Sequence, residues 1–253
     1  MKKIDMAILS RLISELREAV LKTGFGRVVV GLSGGIDSAV SAALAVRALG
    51  SENVFGFFMP YRDSSPQSAD DAALFAELFC IKLETVDITL MAGQYTDKCA
   101  YISKNRLGNI LSRLRMTVLF DKSAVYDALV LGTGNKSEIL LGYMTWFGDS
   151  ACAINPLGDL YKTQVREAAR FLDIPERIIM KAPSADHYEG QTDEHDLGSS
   201  YEEIDKVLSE LIEDENTELL KASGVNNITD RVKRNGYKRK LPIIIGVGQK
   251  ALW

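Results

Sequence analysis

The sequence predicts an α/β fold, a doubly wound parallel sheet of the Rossmann-like kind with a C-terminal helical extension. Three observations carry this. Short β-branched runs without polar alternation recur, as in parallel strands covered on both faces. Segments with helical spacing separate them. The glycine-rich turn that follows the first strand opens directly into a helix.

Taken in order, Ile8, Leu9, Leu12, Ile13, Leu16, Ala19 and Val20 recur at helical spacing, and Gly24 and Gly26 end the pattern. Arg27–Leu32 reads as a buried strand. Ser38–Leu49 is a small-residue helix ended by Gly50. Asn53–Met59 is the second strand, Pro66–Phe79 a helix and Lys82–Ile88 the third strand. Ala92–Arg106 is polar and reads as irregular. Asn109–Phe120 reads as a helix, Ala128–Gly132 as the fourth strand, Tyr161–Leu172 as a helix stopped before Pro175, and Tyr201–Ile212 as a helix. Ala182–Leu197 has Pro, Gly, five acidic residues and no usable period. Loops of that length are usually functional lids or disordered. The whole chain, 1–253, is expected to form one domain.

Composition narrows the classes. The chain has 253 residues, 46% hydrophobic and 25% charged, enough to bury a core without staples. The net charge of −4 argues against nucleic acid as a partner. Cys80, Cys99 and Cys152 form no C-x-x-C pair and are odd in number, which fits a reducing cytoplasm. The N-terminus is amphipathic rather than a signal peptide, and no apolar run reaches spanning length.

The sharpest feature is Gly31-Leu32-Ser33-Gly34-Gly35-Ile36-Asp37-Ser38. Adjacent glycines let a backbone turn tightly and point N–H groups inward, and the helix that follows adds its positive end. Ser33 and Ser38 can donate hydroxyl hydrogen bonds. Asp37 would repel a phosphate unless it holds Mg²⁺, which takes hard oxygen ligands and bridges phosphates. The loop is not a Walker A motif, because no lysine follows the glycines. The dinucleotide fingerprint is missing too, since Gly24-Phe25-Gly26 precedes the strand.

SGGIDS after an apolar strand resembles the pyrophosphate loop of the ATP-pyrophosphatase superfamily. Gly108–Met116 (GNILSRLRM), Gly132–Glu138 (GTGNKSE), Asn155–Lys162 (NPLGDLYK) and Pro183–Tyr201 (PSADHYEGQTDEHDLGSSY) resemble, in order, segments of the NAD synthetases. The resemblance runs from about Val29 to Lys240. It implies an ammonia-dependent ligase that uses ATP and Mg²⁺ to amidate deamido-NAD through an acyl-adenylate, working as a homodimer. It further implies that Gly31–Ser38, Thr133, Lys162 and Ser184 contact ATP. Asp37 and Glu138 would hold the metal, Arg113 and Lys238 would bind deamido-NAD, and Asp149 would lie near the ammonia site as a proton acceptor. The chain has no room beyond the synthetase core for a glutaminase domain and no Cys nucleophile at its start, so glutamine is not expected to replace ammonia.

The chain departs from the family's common pattern where Trp146 stands for a Lys, Ala153 for an acid and Tyr237 for a His, and GDSACAINP resembles a variant bacterial subgroup. Blander readings stand beside these roles. Arg113 and Arg115 suit a solvated helix face, Glu138 a helix first turn, and Lys162 an exposed surface. The six basic residues of Arg231–Lys240 suit a solvated or weakly nucleic-acid-binding tail. Two rival functions follow: an RNA-modifying ATP pyrophosphatase, for which the acidic balance and unpaired cysteines are wrong, and an idle nucleotide-binding module, for which the intact loop and carboxylates are wrong.

Overall fold

Residues 2–62, 64–183, 192–212 and 226–240 are described by the computed structural model. β1 (Val28–Gly31) lies inside the sheet. Val28 and Val30 join one core cluster and Val29 the other, so both faces of the strand are covered. Each of the three valines is fully buried, a contribution of about 1.5–3 kcal/mol per side chain. β2 (Val54–Phe58), β3 (Lys82–Thr85) and β4 (Leu129–Val130) complete a parallel sheet in the order β3-β2-β1-β4. Val28 pairs with Val54 on one side and Leu129 on the other. The chain leaves β1 toward β2 and β3, then returns to the opposite side of β1 for β4. That reversal opens a crevice at the carboxyl ends of β1 and β4, the place where such sheets bind ligands.

One face is covered by α1 (Met6–Lys22), α2 (Ile36–Leu49) and α7 (Lys162–Phe171). α2 sits between β1, α1 and α7, and its run Ser38-Ala39-Val40-Ser41-Ala42-Ala43 is buried throughout. Small side chains there let four backbones approach. α3 (Pro66–Leu78) starts on a proline, whose missing N–H costs nothing in a first turn. The other face is covered by α5 (Lys104–Tyr126), whose Leu111 and Val118 pack with Val29 and Val130. Its N-terminus is capped by Ser103, whose Oγ accepts from the Arg106 N–H at 3.3 Å.

Thr89–Thr96 is a helix, α4, where the sequence reads as irregular from Ala92 onward. Ala92 and Thr96 are buried one turn apart, but Leu90, Met91 and Tyr95 on the outward side are also apolar and exposed, which hides the period. β3 is shorter than expected. Beyond Thr85 the chain still pairs loosely, with the Val86 N–H to Phe58 O at 2.8 Å and the Ile88 N–H to Pro60 O at 3.0 Å.

The C-terminal part is helical, as expected. α6 (Lys136–Leu141), α9 (Asp193–Leu197), α10 (Tyr201–Ile212) and α11 (Asn226–Arg234) share a third cluster built from Leu141, Leu197, Tyr201, Ile204, Leu208, Ile228 and Val232. A short helix α8 (Glu176–Ile179) follows α7. α9 therefore gives order to the end of the acidic 182–197 stretch; residues 184–191 of it lie outside the described residues. The basic segment is anchored rather than a loose tail: Val232 of α11 is buried in that cluster, while Lys233, Arg234, Arg239 and Lys240 are exposed, as a solvated face requires. Among the described residues no helix is long and apolar enough to cross a membrane.

Candidate active site

The loop after β1 is shaped by its own serines. The Ser38 hydroxyl donates to Gly35 O at 2.9 Å and accepts from the Ser33 N–H at 3.2 Å. The Ser33 and Ser38 hydroxyl oxygens are also 3.2 Å apart, and Ser33 Oγ accepts from the Gly35 N–H at 3.3 Å. Gly34 has φ +75°, and a Cβ there would lie 2.3 Å from the Ser68 carbonyl oxygen in α3. Only glycine meets both conditions. Helix α2 then starts at Gly35 without a side-chain cap, so its first N–H groups face the crevice as an anion site. Leu32 and Ile36 are buried and hold the loop to the core, while Gly31 ends the strand.

Across the crevice, Gly132 follows β4 and its carbonyl takes the buried Ser41 hydroxyl of α2 at 2.7 Å. Thr133 is half-buried in the turn that follows. Asn135, fully buried, caps α6. Its Oδ1 accepts from the Glu138 N–H at 3.0 Å, and Glu138 Oε2 accepts from the Asn135 N–H at 3.2 Å. The Asn135 Nδ2 donates to Asp37 Oδ1 at 2.8 Å. Lys162, 1% exposed, completes the cluster: its Nζ is 2.5 Å from Asp37 Oδ2 and 3.4 Å from Glu138 Oε1. The surface reading of Lys162 is thereby overturned. The motifs at 37, 138 and 162 converge at one point.

The electrostatics there are short of positive charge. Burial, reinforced by the charge of Asp37, pushes the Glu138 carboxyl up to about 8. Burial acts to lower the Lys162 pKa, but Asp37, Glu138 and Asp193 outweigh it and raise it above the ordinary value. One ammonium thus serves two carboxylates. A divalent ion would relieve that shortage. Among the described residues no group of three or more His, Cys, Asp or Glu side chains gathers as a metal site. Two carboxylates nonetheless suit Mg²⁺, which keeps waters and takes substrate phosphates as further ligands.

Four residues that sequence reasoning missed support this cluster. Asp193, 4% exposed, accepts from the Tyr201 and Tyr143 hydroxyls, each at 3.2 Å. Burial raises its pKa against the pull of Lys162. Tyr201 also places its ring 5.0 Å from Lys162 Nζ. Asp205, fully buried, accepts from Ser137 Oγ at 2.5 Å and from the Thr163 N–H at 2.8 Å, tying α10 to the first turns of α6 and α7. It had a signal: an acid beside Ile204 on the apolar stripe Tyr201, Ile204, Leu208.

The remaining predicted residues form a second, more open group. Asp149 Oδ1 accepts from Ser112 Oγ at 2.7 Å and from the Thr145 N–H at 2.8 Å. Arg113, exposed on α5, donates to Trp146 O at 3.1 Å. Lys238 donates to Gly142 O and Met144 O, each at 2.8 Å. Burial lowers the Lys238 pKa, Asp149 acts to raise it and Arg113 to lower it, so the three charges sense one another. Trp146 stacks on Phe147 at 4.4 Å and meets Tyr237 edge-on at 5.4 Å. Two neighbours of Lys238 finish α6: Asn235 Nδ2 donates to Leu141 O and Arg239 to Leu140 O, both at 2.7 Å. Ser184 lies outside the described residues.

This arrangement matches known proteins along most of its length. The NAD synthase family model matches residues 8–242. The NH(3)-dependent NAD(+) synthetase of Fusobacterium nucleatum is 46% identical over 253 residues, covering 96% of this chain and 98% of that protein. The enzyme of the same name from Chlorobaculum tepidum is 47% identical, covering 92% and 86%. Among solved structures, the NMN synthetase of Francisella tularensis superposes with a TM-score of 0.84 at 34% identity, covering 94% and 96%. The NH3-dependent NAD synthetase of Campylobacter jejuni, in complex with nitrate, gives 0.82 at 33% identity, covering 96% and 100%.

Proposed function

The chain belongs to the NAD synthase family, and we propose that it amidates nicotinic acid adenine dinucleotide with ammonia, consuming ATP through an acyl-adenylate. The observation that carries this reading is the meeting of Asp37 and Glu138 on Lys162 beside an anion-binding loop. The nicotinate carboxylate attacks the α-phosphorus of ATP and pyrophosphate leaves. Ammonia then attacks the acyl carbon, AMP leaves, and the product is NAD.

Each residue has a task in that sequence. The Gly31–Ser38 loop and the first turn of α2 hold the phosphates, with Thr133 and Ser184 contributing to ATP. Asp37 and Glu138 are the carboxylates that would hold Mg²⁺, which when bound neutralises charge on the leaving group. Lys162, which stands between the two carboxylates, would offer its charge to the nucleotide. Arg113 and Lys238 hold the carboxylate substrate. Asp149 has Oδ1 committed to Ser112 and Thr145, so Oδ2 is the oxygen to accept the proton of ammonium. The reading includes action of the whole chain as one synthetase unit, as a homodimer in the cytoplasm, without nucleic acid or membrane.

A second reading, amidation of the mononucleotide, is favoured by the similarity to an NMN synthetase and by the altered positions Trp146, Ala153 and Tyr237. The test is to incubate the protein with ATP, Mg²⁺ and ammonium plus either nicotinic acid dinucleotide or mononucleotide, and to weigh the products. NAD and AMP in equal amounts, absent without ammonium, are expected. Turnover of the mononucleotide alone would move the assignment to the second reading. ATP binding without either amide would overturn both.

A further inference from the structure

The phosphate loop carries no lysine of its own. Walker-type loops take one from the residue after the last glycine, and its charge rests on the β- and γ-phosphates. Here an ammonium reaches the loop from far along the chain. Lys181 Nζ is 3.4 Å from Gly34 O, 3.2 Å from Ser68 Oγ and 3.0 Å from Asp71 Oδ2. Asp71, on α3, is fully buried. Its Oδ1 takes Arg177 of α8, with Nε at 2.7 Å and a terminal nitrogen at 2.5 Å.

The charges of this trio do not cancel. One carboxylate faces two cations, so a net positive charge remains at the edge of a loop built for anions. The two other acceptors of Lys181 are neutral and long, and bonds of that kind are weak. Its side chain is 22% exposed, so it is not sealed from the crevice. Ser68, its hydroxyl partner, also supplies the carbonyl that a Cβ at position 34 would strike, so the ammonium stands beside the turn itself.

We propose that Lys181 binds the β- and γ-phosphates of ATP and the departing pyrophosphate, with Asp71 as its positioning residue. The proposal rests on the reading of Ser33–Ser38 as a triphosphate loop and adds a cation to it. As the bond from the α-phosphorus to the bridging oxygen breaks, both electrons stay on pyrophosphate. Lys181 meets that charge by hydrogen bonding, without transferring a proton.

The experiment is calorimetric binding of inorganic pyrophosphate with Mg²⁺ to the full chain, alongside steady-state kinetics. Lys181→Met is expected to weaken pyrophosphate binding by about tenfold or more, since a charge-assisted hydrogen bond to the anion is lost. The KM for ATP rises with it, while the KM for the carboxylate substrate stays. Lys181→Arg, which keeps the charge, restores most of the affinity. If Lys181→Met lowers the melting temperature but binds pyrophosphate like the wild type, the lysine is only a tether and the proposal falls.

Should that variant not fold, the wild type still decides. Acetylation of Lys181, followed by peptide mass spectrometry, is expected to slow by about fivefold or more at saturating Mg²⁺-pyrophosphate. An unchanged rate overturns the proposal, as does a wild type that binds no pyrophosphate. A wild type that binds pyrophosphate through Lys181 yet forms no NAD would overturn the functional reading and leave this one standing.

Discussion

The two halves of the crevice are built differently. On the phosphate side, Asp37, Asn135, Glu138 and Lys162 bond directly to one another in a buried cluster, and the loop is fixed by two serines and a left-handed glycine. On the opposite side, Arg113 and Lys238 spend their donors on backbone carbonyls, and Phe147, Asp149 and Tyr237 are exposed. The first half is set before any ligand arrives. The second is held in place but open. Two of the three departures from the family's pattern, Trp146 and Tyr237, meet edge-on in the open half, whereas Ala153 follows β4, its N–H donating to Val130 O at 2.9 Å. On the proposed function, the chemistry belongs to the interlocked side and substrate recognition to the open one.

That division can be broken by mutation, and the largest effect is expected at Asp37. Asp37→Ala removes a carboxylate shared by Asn135 and Lys162 and should cut NAD formation by about 10³-fold; near-normal turnover at saturating Mg²⁺ would remove the metal assignment. Gly34→Ala comes next. A left-handed non-glycine residue pressed on Ser68 should cost about 1–3 kcal/mol of stability, read by thermal melting, with a rise in the KM for ATP. A variant with both parameters unchanged would mean that the turn is not rigid. Glu138→Gln should raise the Mg²⁺ needed for half-maximal rate by about tenfold, and an unshifted magnesium titration counts against its role. Smallest is Trp146→Ala, with a change of about two- to tenfold in the KM for the carboxylate substrate and none in the magnesium titration. If that variant moved the magnesium response, the two halves would not be independent.

Much of the fold was legible because its signals are local. The β-branched run of β1, the small-residue run of α2 and the proline that opens α3 each lie within a few residues of the observed boundaries. α4 was not legible, since its exposed side carries Leu90, Met91 and Tyr95. In the site, the loop and the three converging motifs could be read from the chain, whereas Asp71, Asp193 and Lys181 could not. Their meaning depends on partners more than a hundred residues away in the case of Asp71 and Lys181, and on two tyrosines from separate elements in the case of Asp193. Asp205 stands between these cases, because an acid on an apolar helix face is itself a signal.

The six residues of α6 make too few internal hydrogen bonds to hold a helix by themselves. The donors that finish its far end come from Asn235, Lys238 and Arg239, 94 to 99 positions later. During synthesis Glu138 therefore leaves the ribosome long before the side chains that complete its helix. At translation speeds of about 5–20 residues per second, roughly 5–20 s of synthesis separate the far-end carbonyls of α6 from their donors, while the near end already has the Asn135–Glu138 capping box. One end of this short helix is thus closed by its own sequence and the other by a segment made much later, so its completion is an event of the whole chain.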